Sequence, residues 1–185
     1  MTHSQPRYHR RSIRLPAYDY AQAGAYFVTM VCKDGALLLE DPRFRAAAEE
    51  AWLWLGDQYE FVHLDEYVVM PNHLHGIIVI SDPCRGGSRA APTGAANRKP
   101  LGQLVGAFKT VSTKRINEIR GTPRLPIWQR NYYERVIRND EELNHTRQYI
   151  IDNPAHWEQD RENPNNVGAV REPPLLPLDL RLPFG

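Results

Sequence analysis

The sequence predicts an α+β fold: a ferredoxin-like split βαβ, with a four-stranded antiparallel sheet, helices on one face and an extra tyrosine-bearing helix at the C-terminal end. Three observations predict it. Four short segments are β-branched and aromatic, three longer ones repeat apolar residues at steps of three and four, and they follow in the order strand, helix, strand, strand, helix, strand, helix. With 185 residues, 42% hydrophobic and 24% charged, the chain has the size and make-up of one globular domain. Its expected organisation is a basic N-terminal arm over 1–17, one domain over 18–160 and a Pro-rich tail over 161–185.

Residues 25–32 are rich in β-branched and aromatic side chains and form the first strand. Asp41 and Pro42 open the first helix, Asp41 as N-cap and Pro42 at the first helical position. Phe44, Ala47, Ala48, Ala51, Trp52 and Leu55 give that helix one apolar face, and Gly56 is expected to close it. Residues 61–70 and 73–80 are the second and third strands, an antiparallel hairpin turned by Pro71 and Asn72. Residues 81–100, rich in Gly, Ala, Arg and Pro, read as a loop. The second helix, 101–119, has Leu101, Leu104, Val105, Phe108, Val111 and Ile116 at helical spacing, which puts Lys109, Lys114 and Arg115 mostly on its wet side. Residues 127–138 read as an irregular fourth strand. Asn139 and Glu142 then make a capping box for a third helix, which Pro154 stops at about Asn153.

Composition narrows the function classes. The mean hydropathy is −0.56 and no apolar run approaches the roughly 20 residues of a membrane helix, so a membrane partner is not expected. The first residues lack the apolar stretch of a secretory signal, and the expected location is the cytoplasm. Cys32 and Cys84 have no zinc-type spacing and make no disulfide framework. The net charge is only +1, but the charges are segregated. Arg85, Arg89, Arg98, Lys99, Lys109, Lys114, Arg115, Arg120, Arg124 and Arg130 share their stretch with one acid, Glu118, and the arm adds Arg7, Arg10, Arg11 and Arg14. Such blocks suit a polyanion, although a single basic run is commonly just a solvated face.

The chemistry centres on His73 and His75, one residue apart on the third strand. Residues i and i+2 of a strand face the same way, so the two imidazoles can converge on one divalent ion. Two buried histidines satisfied by backbone carbonyls are the plainer alternative. The third helix offers Tyr149 and Asn153, four residues apart and so on one face, with Leu143, Ile150 and Ile151 to seat it on the sheet. Asn153 is a hard oxygen donor suited to Mg²⁺ or Mn²⁺, and the Tyr149 phenol can attack phosphorus. Each also has a structural use, Tyr149 as a boundary aromatic and Asn153 as a helix C-cap. The functional reading requires the third helix to lie against the histidine strand.

The run Met70-Pro71-Asn72-His73-Leu74-His75-Gly76 resembles the HUH motif of single-tyrosine transposases. Residues 128–134 (Trp-Gln-Arg-Asn-Tyr-Tyr-Glu) and 147–154 (Arg-Gln-Tyr-Ile-Ile-Asp-Asn-Pro) look like those of the REP-associated tyrosine transposases, over about residues 11–157. This resemblance implies a metal-dependent single-stranded DNA endonuclease acting on palindromic repeats folded as hairpins. It implies His73, His75 and Asn153 as ligands of Mg²⁺ or Mn²⁺, Asn153 standing where related transposases often use Gln, and Tyr149 as the nucleophile. The reaction implied is transesterification, giving a 5′-phosphotyrosine and a free 3′-hydroxyl. Arg10, Arg11, Arg14, Lys109, Lys114, Arg115 and Arg130 are candidates for phosphate contacts, and Tyr132, Tyr133 and Trp128 for stacking on bases, unless they are core aromatics. Members of the family include dimers that exchange the tyrosine helix, so a monomer and a homodimer are both open. Two rivals remain: a histidine-triad hydrolase, disfavoured because position 77 is Ile, and a non-catalytic nucleic-acid-binding module of the same fold.

Overall fold

A computed structural model describes residues 18–81, 98–160 and 162–166. The N-terminal arm, including Arg10, Arg11 and Arg14, lies outside the described residues, as do Cys84 and the tail beyond 166.

Strands β1 (Gly24–Val31), β2 (Val62–Val69), β3 (His73–Ile80) and β4 (Tyr133–Ile137) form one antiparallel sheet in the order β2-β3-β1-β4. Helices α1 (Pro42–Gln58) and α2 (Leu101–Arg120) connect its halves, and α3 (Asp140–Asp152) follows β4 and runs into a 3₁₀ turn, Asn153–Gln159. This is the split βαβ that the order of segments predicts.

Alternation along the strands divides the sheet into two unlike faces. Tyr26, Val28 and Met30 of β1, with Leu74 and Ile78 of β3, meet Ala48, Trp52 and Leu55 of α1 and Leu104 and Phe108 of α2 in the main core. The alternate residues, Phe27 and Ile77, with Ile137 of β4, pack instead with Ile150, Leu143 and Tyr149 of α3. The extra helix thus covers the face opposite α1 and α2. Ile150 is buried as expected, but Ile151 turns out to solvent.

Local chemistry explains the boundaries. Asp41 caps α1 by accepting the Arg43 N–H (2.9 Å), and Gly121, in the left-handed conformation (φ 64°), closes α2. Gly56 does not end α1, which continues to Gln58 with Gly56 set against Leu64. Gly76 has a stricter role: a Cβ there would overlap the Trp52 indole, so only glycine lets α1 approach β3 so closely. The fourth strand is shorter than predicted. Lys109 Nζ donates to the carbonyls of Gln129 (2.8 Å) and Asn131 (3.0 Å), which holds residues 129–131 toward α2, and residues 127–132 meet the sheet through an isolated bridge between Trp128 and Cys32. Asn139 caps α3 through Glu142 N–H (2.8 Å), whereas the Glu142 carboxylate turns to Arg138 N–H and Arg135 rather than back to the cap.

Candidate metal centre and its tyrosine

β3 places His73 and His75 on the α3 face, with their Nε2 atoms 2.9 Å apart. Both are buried, at 0% and 3% exposure. Burial pushes the His73 imidazole down to about 3, and burial together with the nearby His73 pushes His75 well below its ordinary value, so both are neutral near pH 7.

Asn72 fixes the His73 tautomer. Its amide nitrogen donates to the carbonyls of Gly35 (3.2 Å) and Glu162, which leaves Oδ1 as the atom facing His73 Nδ1 at 2.8 Å. An amide oxygen only accepts, so His73 carries its proton on Nδ1 and presents a lone pair at Nε2. His75 Nδ1 meets the Thr29 hydroxyl at 2.8 Å, and a hydroxyl serves either tautomer. With the proton on Nε2, His75 hydrogen-bonds His73. With it on Nδ1, two lone pairs converge on one point, as they must to hold a cation. Neighbouring ligands of an ion at about 2.0–2.1 Å stand about 3 Å apart when at right angles, which matches this pair.

α3 brings Tyr149 to the same point. Its hydroxyl lies 3.5 Å from His75 Nε2, and its ring, edge-on to Phe27, sits 5.4 Å from the His75 ring. The predicted contact between the third helix and the histidine strand is therefore present within one chain. Asn153, one turn on, is buried at 5% exposure, and its Oδ1 has no hydrogen-bond partner among the described residues. One turn further, Trp157 leans on the His73 ring at 6.1 Å. Asn153 thus follows Tyr149 and precedes Trp157 in the chain, with a buried acceptor atom that no described residue engages, and two imidazoles and an amide oxygen are donors of the kind a divalent cation takes.

Three features were not read from the sequence. Asp160, just beyond the 3₁₀ turn, lies with Oδ2 3.8 Å from His73 Nε2, and His73, His75 and Asp160 offer ligand atoms all within 4.8 Å of one another. Asp65 sits at a β-bulge in β2, which lets its carboxylate clamp Arg147 of α3 through bonds of 2.7 and 2.6 Å. Thr29 is the third. The only sequence signal for these is position: Thr29 is two residues from Phe27 and so shares the histidine face of β1, and Asp160 follows the tyrosine helix at short range.

The other candidate residues are dispersed. Lys109 is not on the wet side of α2: it is half-buried under the 129–131 carbonyls, its ammonium pushed down to about 8 by burial. Lys114 is exposed and lies 4.0 Å from Glu118, Arg115 meets Glu50 at 3.2 Å, and Arg130 is exposed. Tyr132 packs on the main core beneath Lys109, while Tyr133 lies on the opposite face beside Phe27. Trp128 is a core residue, buried at 6% exposure with its N–H on Ser112 Oγ (2.8 Å). Among the described residues no helix is long and apolar enough to cross a membrane.

An uncharacterized protein of Haemophilus influenzae is 34% identical over 172 residues, covering 83% of this chain and 93% of that protein. The chain belongs to that protein's family. No protein-family model matches it. Among solved structures, a REP-associated tyrosine transposase bound to a REP hairpin aligns at a TM-score of 0.55 with 19% identity, over 77% of this chain and 72% of that one. This member of the Haemophilus protein's family therefore has the fold of a REP-associated tyrosine transposase.

Proposed function

We propose that the chain is a metal-dependent endonuclease and transesterase of single-stranded DNA that acts on palindromic repeats folded as hairpins. One observation carries the reading: the Tyr149 hydroxyl stands 3.5 Å from a buried pair of neutral histidines whose Nε2 atoms converge. The hairpin in the transposase of like fold supports the choice of substrate.

His73, His75 and Asn153 would hold Mg²⁺ or Mn²⁺, and an ion there would supply positive charge to a phosphate oxygen. Asn72 holds His73 in the tautomer that binding requires, and the Thr29 hydroxyl can accept the Nδ1 proton of His75 in the tautomer that frees its Nε2. The Tyr149 oxygen forms a bond to phosphorus as the bond from phosphorus to the 3′ oxygen breaks. The phenol gives up its proton and the departing oxygen gains one, leaving a 5′-phosphotyrosine and a 3′-hydroxyl. Attack by a 3′-hydroxyl reverses the step and joins strands. The Asp65–Arg147 clamp holds α3 where this attack requires it. Lys114, Arg115 and Arg130, with Arg10, Arg11 and Arg14 of the arm, would contact backbone phosphates, and Lys109 would brace the 129–131 segment between Trp128 and the candidate stacking residues Tyr132 and Tyr133. The working place of such a protein is the cytoplasm, on DNA.

The test is to incubate the protein with Mn²⁺ or Mg²⁺ and a panel of single-stranded hairpin DNAs, and to look for a covalent adduct on denaturing gels. An adduct that Tyr149→Phe abolishes is expected. An adduct that persists in Tyr149→Phe removes the nucleophile assignment, and salt-dependent binding without any adduct leaves the non-catalytic module in its place.

A further inference from the structure

The 3₁₀ turn that continues α3 does more than end a helix. It carries the chain back over the histidines, so that Trp157 contacts His73 and Asp160 arrives with its side chain only 8% exposed. That placement is braced from several sides. Asp160 Oδ1 accepts Glu162 N–H at 2.7 Å, its backbone N–H bonds Trp157 O at 3.1 Å, and Asn166 Nδ2 donates to its carbonyl at 3.3 Å. Asn163, itself buried, donates to Trp157 O at 2.9 Å. Asn72, which sets the His73 tautomer, also holds Glu162. One side chain thus positions both His73 and the segment that bears Asp160.

The second carboxylate oxygen, Oδ2, stands 3.8 Å from His73 Nε2. The Asp160 carboxylate therefore brings a hard, anionic oxygen to a site where two buried imidazoles already converge, a combination of donors suited to a divalent cation. The spacings, 2.9 Å between the imidazole nitrogens, 3.8 Å from one of them to the carboxylate and none of the three beyond 4.8 Å, fit ligands at about 2.0–2.2 Å around one centre. We propose that Asp160 is a direct ligand: His73, His75 and Asp160 form a two-histidine, one-carboxylate set, and Asn153 adds a neutral oxygen beside them. Two imidazoles suit Mn²⁺ better than Mg²⁺, which prefers oxygen, so this set favours Mn²⁺.

The inference rests on the metal site proposed above, and it is tested without DNA. Mn²⁺ binding to the full chain is measured by titration calorimetry and by the free-ion electron paramagnetic resonance signal. Asp160→Asn keeps the Oδ1 acceptor for Glu162 N–H and removes the charge. It is expected to weaken Mn²⁺ binding tenfold or more while the metal-free melting temperature stays at the wild-type value. A loss smaller than tenfold overturns the assignment while leaving the histidine site standing. A wild-type chain that binds no Mn²⁺ overturns both. As an independent reading, Asp160→Cys with Co²⁺ is expected to show a thiolate-to-metal charge-transfer absorption that the wild type lacks; without that band Asp160 is not a ligand. Metal binding that depends on Asp160, in a protein that never forms the Tyr149 adduct, would uphold this site and overturn the transesterase reading alone.

Discussion

The two faces of the sheet are built from alternate residues of the same strands, yet they do different work. The α1 and α2 face is large, dry and apolar, and at Gly76 it leaves no room for a side chain beside Trp52. The α3 face has only a small apolar cluster around Phe27, Ile77, Ile137 and Ile150, and it gives the rest of its area to His73, His75, Thr29 and Tyr149. The larger core lies on one side and the candidate site on the other. A sheet with a core on one face only would leave the histidines in water, where their pairing with a tyrosine would be neither fixed nor dry. The small α3 cluster and the Asp65–Arg147 clamp exist to cover them.

If the faces are separable in this way, substitutions should fall into two groups. Tyr149→Phe is expected to remove all covalent adduct while leaving the urea unfolding midpoint near that of the wild type. Trp52→Ala should do the converse, costing about 3–5 kcal/mol in urea unfolding with adduct yield per folded molecule retained. A Trp52 variant that folds but has lost the adduct would break the division. Gly76→Ala is where the faces meet: overpacking against Trp52 should cost about 1–3 kcal/mol and should also disturb the neighbouring His75, so both readouts are expected to fall. Thr29→Val keeps shape and removes the partner of His75 Nδ1; about a 10- to 100-fold loss of Mn²⁺ affinity is expected, against almost no change in the midpoint. The smallest effect belongs to the clamp. The Arg147 hydrogen bond holds the Asp65 carboxyl below its ordinary 3.8, so its contribution is full above that value and is lost as pH falls through the native one. Melting temperature should therefore drop below pH 3.8 less steeply in Asp65→Asn than in the wild type.

The elements were legible because their signals are local. The Asp41-Pro42 cap, the apolar spacing of α1 and α2, and the strand residues each speak within a few positions, and the topology follows from their order. The histidine pair was legible for the same reason, being two positions on one strand. What failed involved distant partners. Lys109 was read as solvated because its partners, the 129–131 carbonyls, lie some twenty residues away along the chain and are backbone atoms. Asp160 was missed because Pro154, read correctly as the end of an α-helix, does not forbid the 3₁₀ turn that brings the carboxylate back. Asp65 was missed because a bulge obeys no period.

The register of β3 has a consequence for how the site forms. Leu74, Gly76 and Ile78 point into the main core, and His73 and His75 point away from it. A slip of one residue would exchange every one of them, driving the imidazoles onto Trp52 and the leucine toward Tyr149. No half-formed version exists in which the histidines converge and the core is unmade. Ligand occupancy and cooperative unfolding are therefore linked, and an ion at a hundred times its dissociation constant should raise the unfolding free energy of the entire domain by about 2.7 kcal/mol.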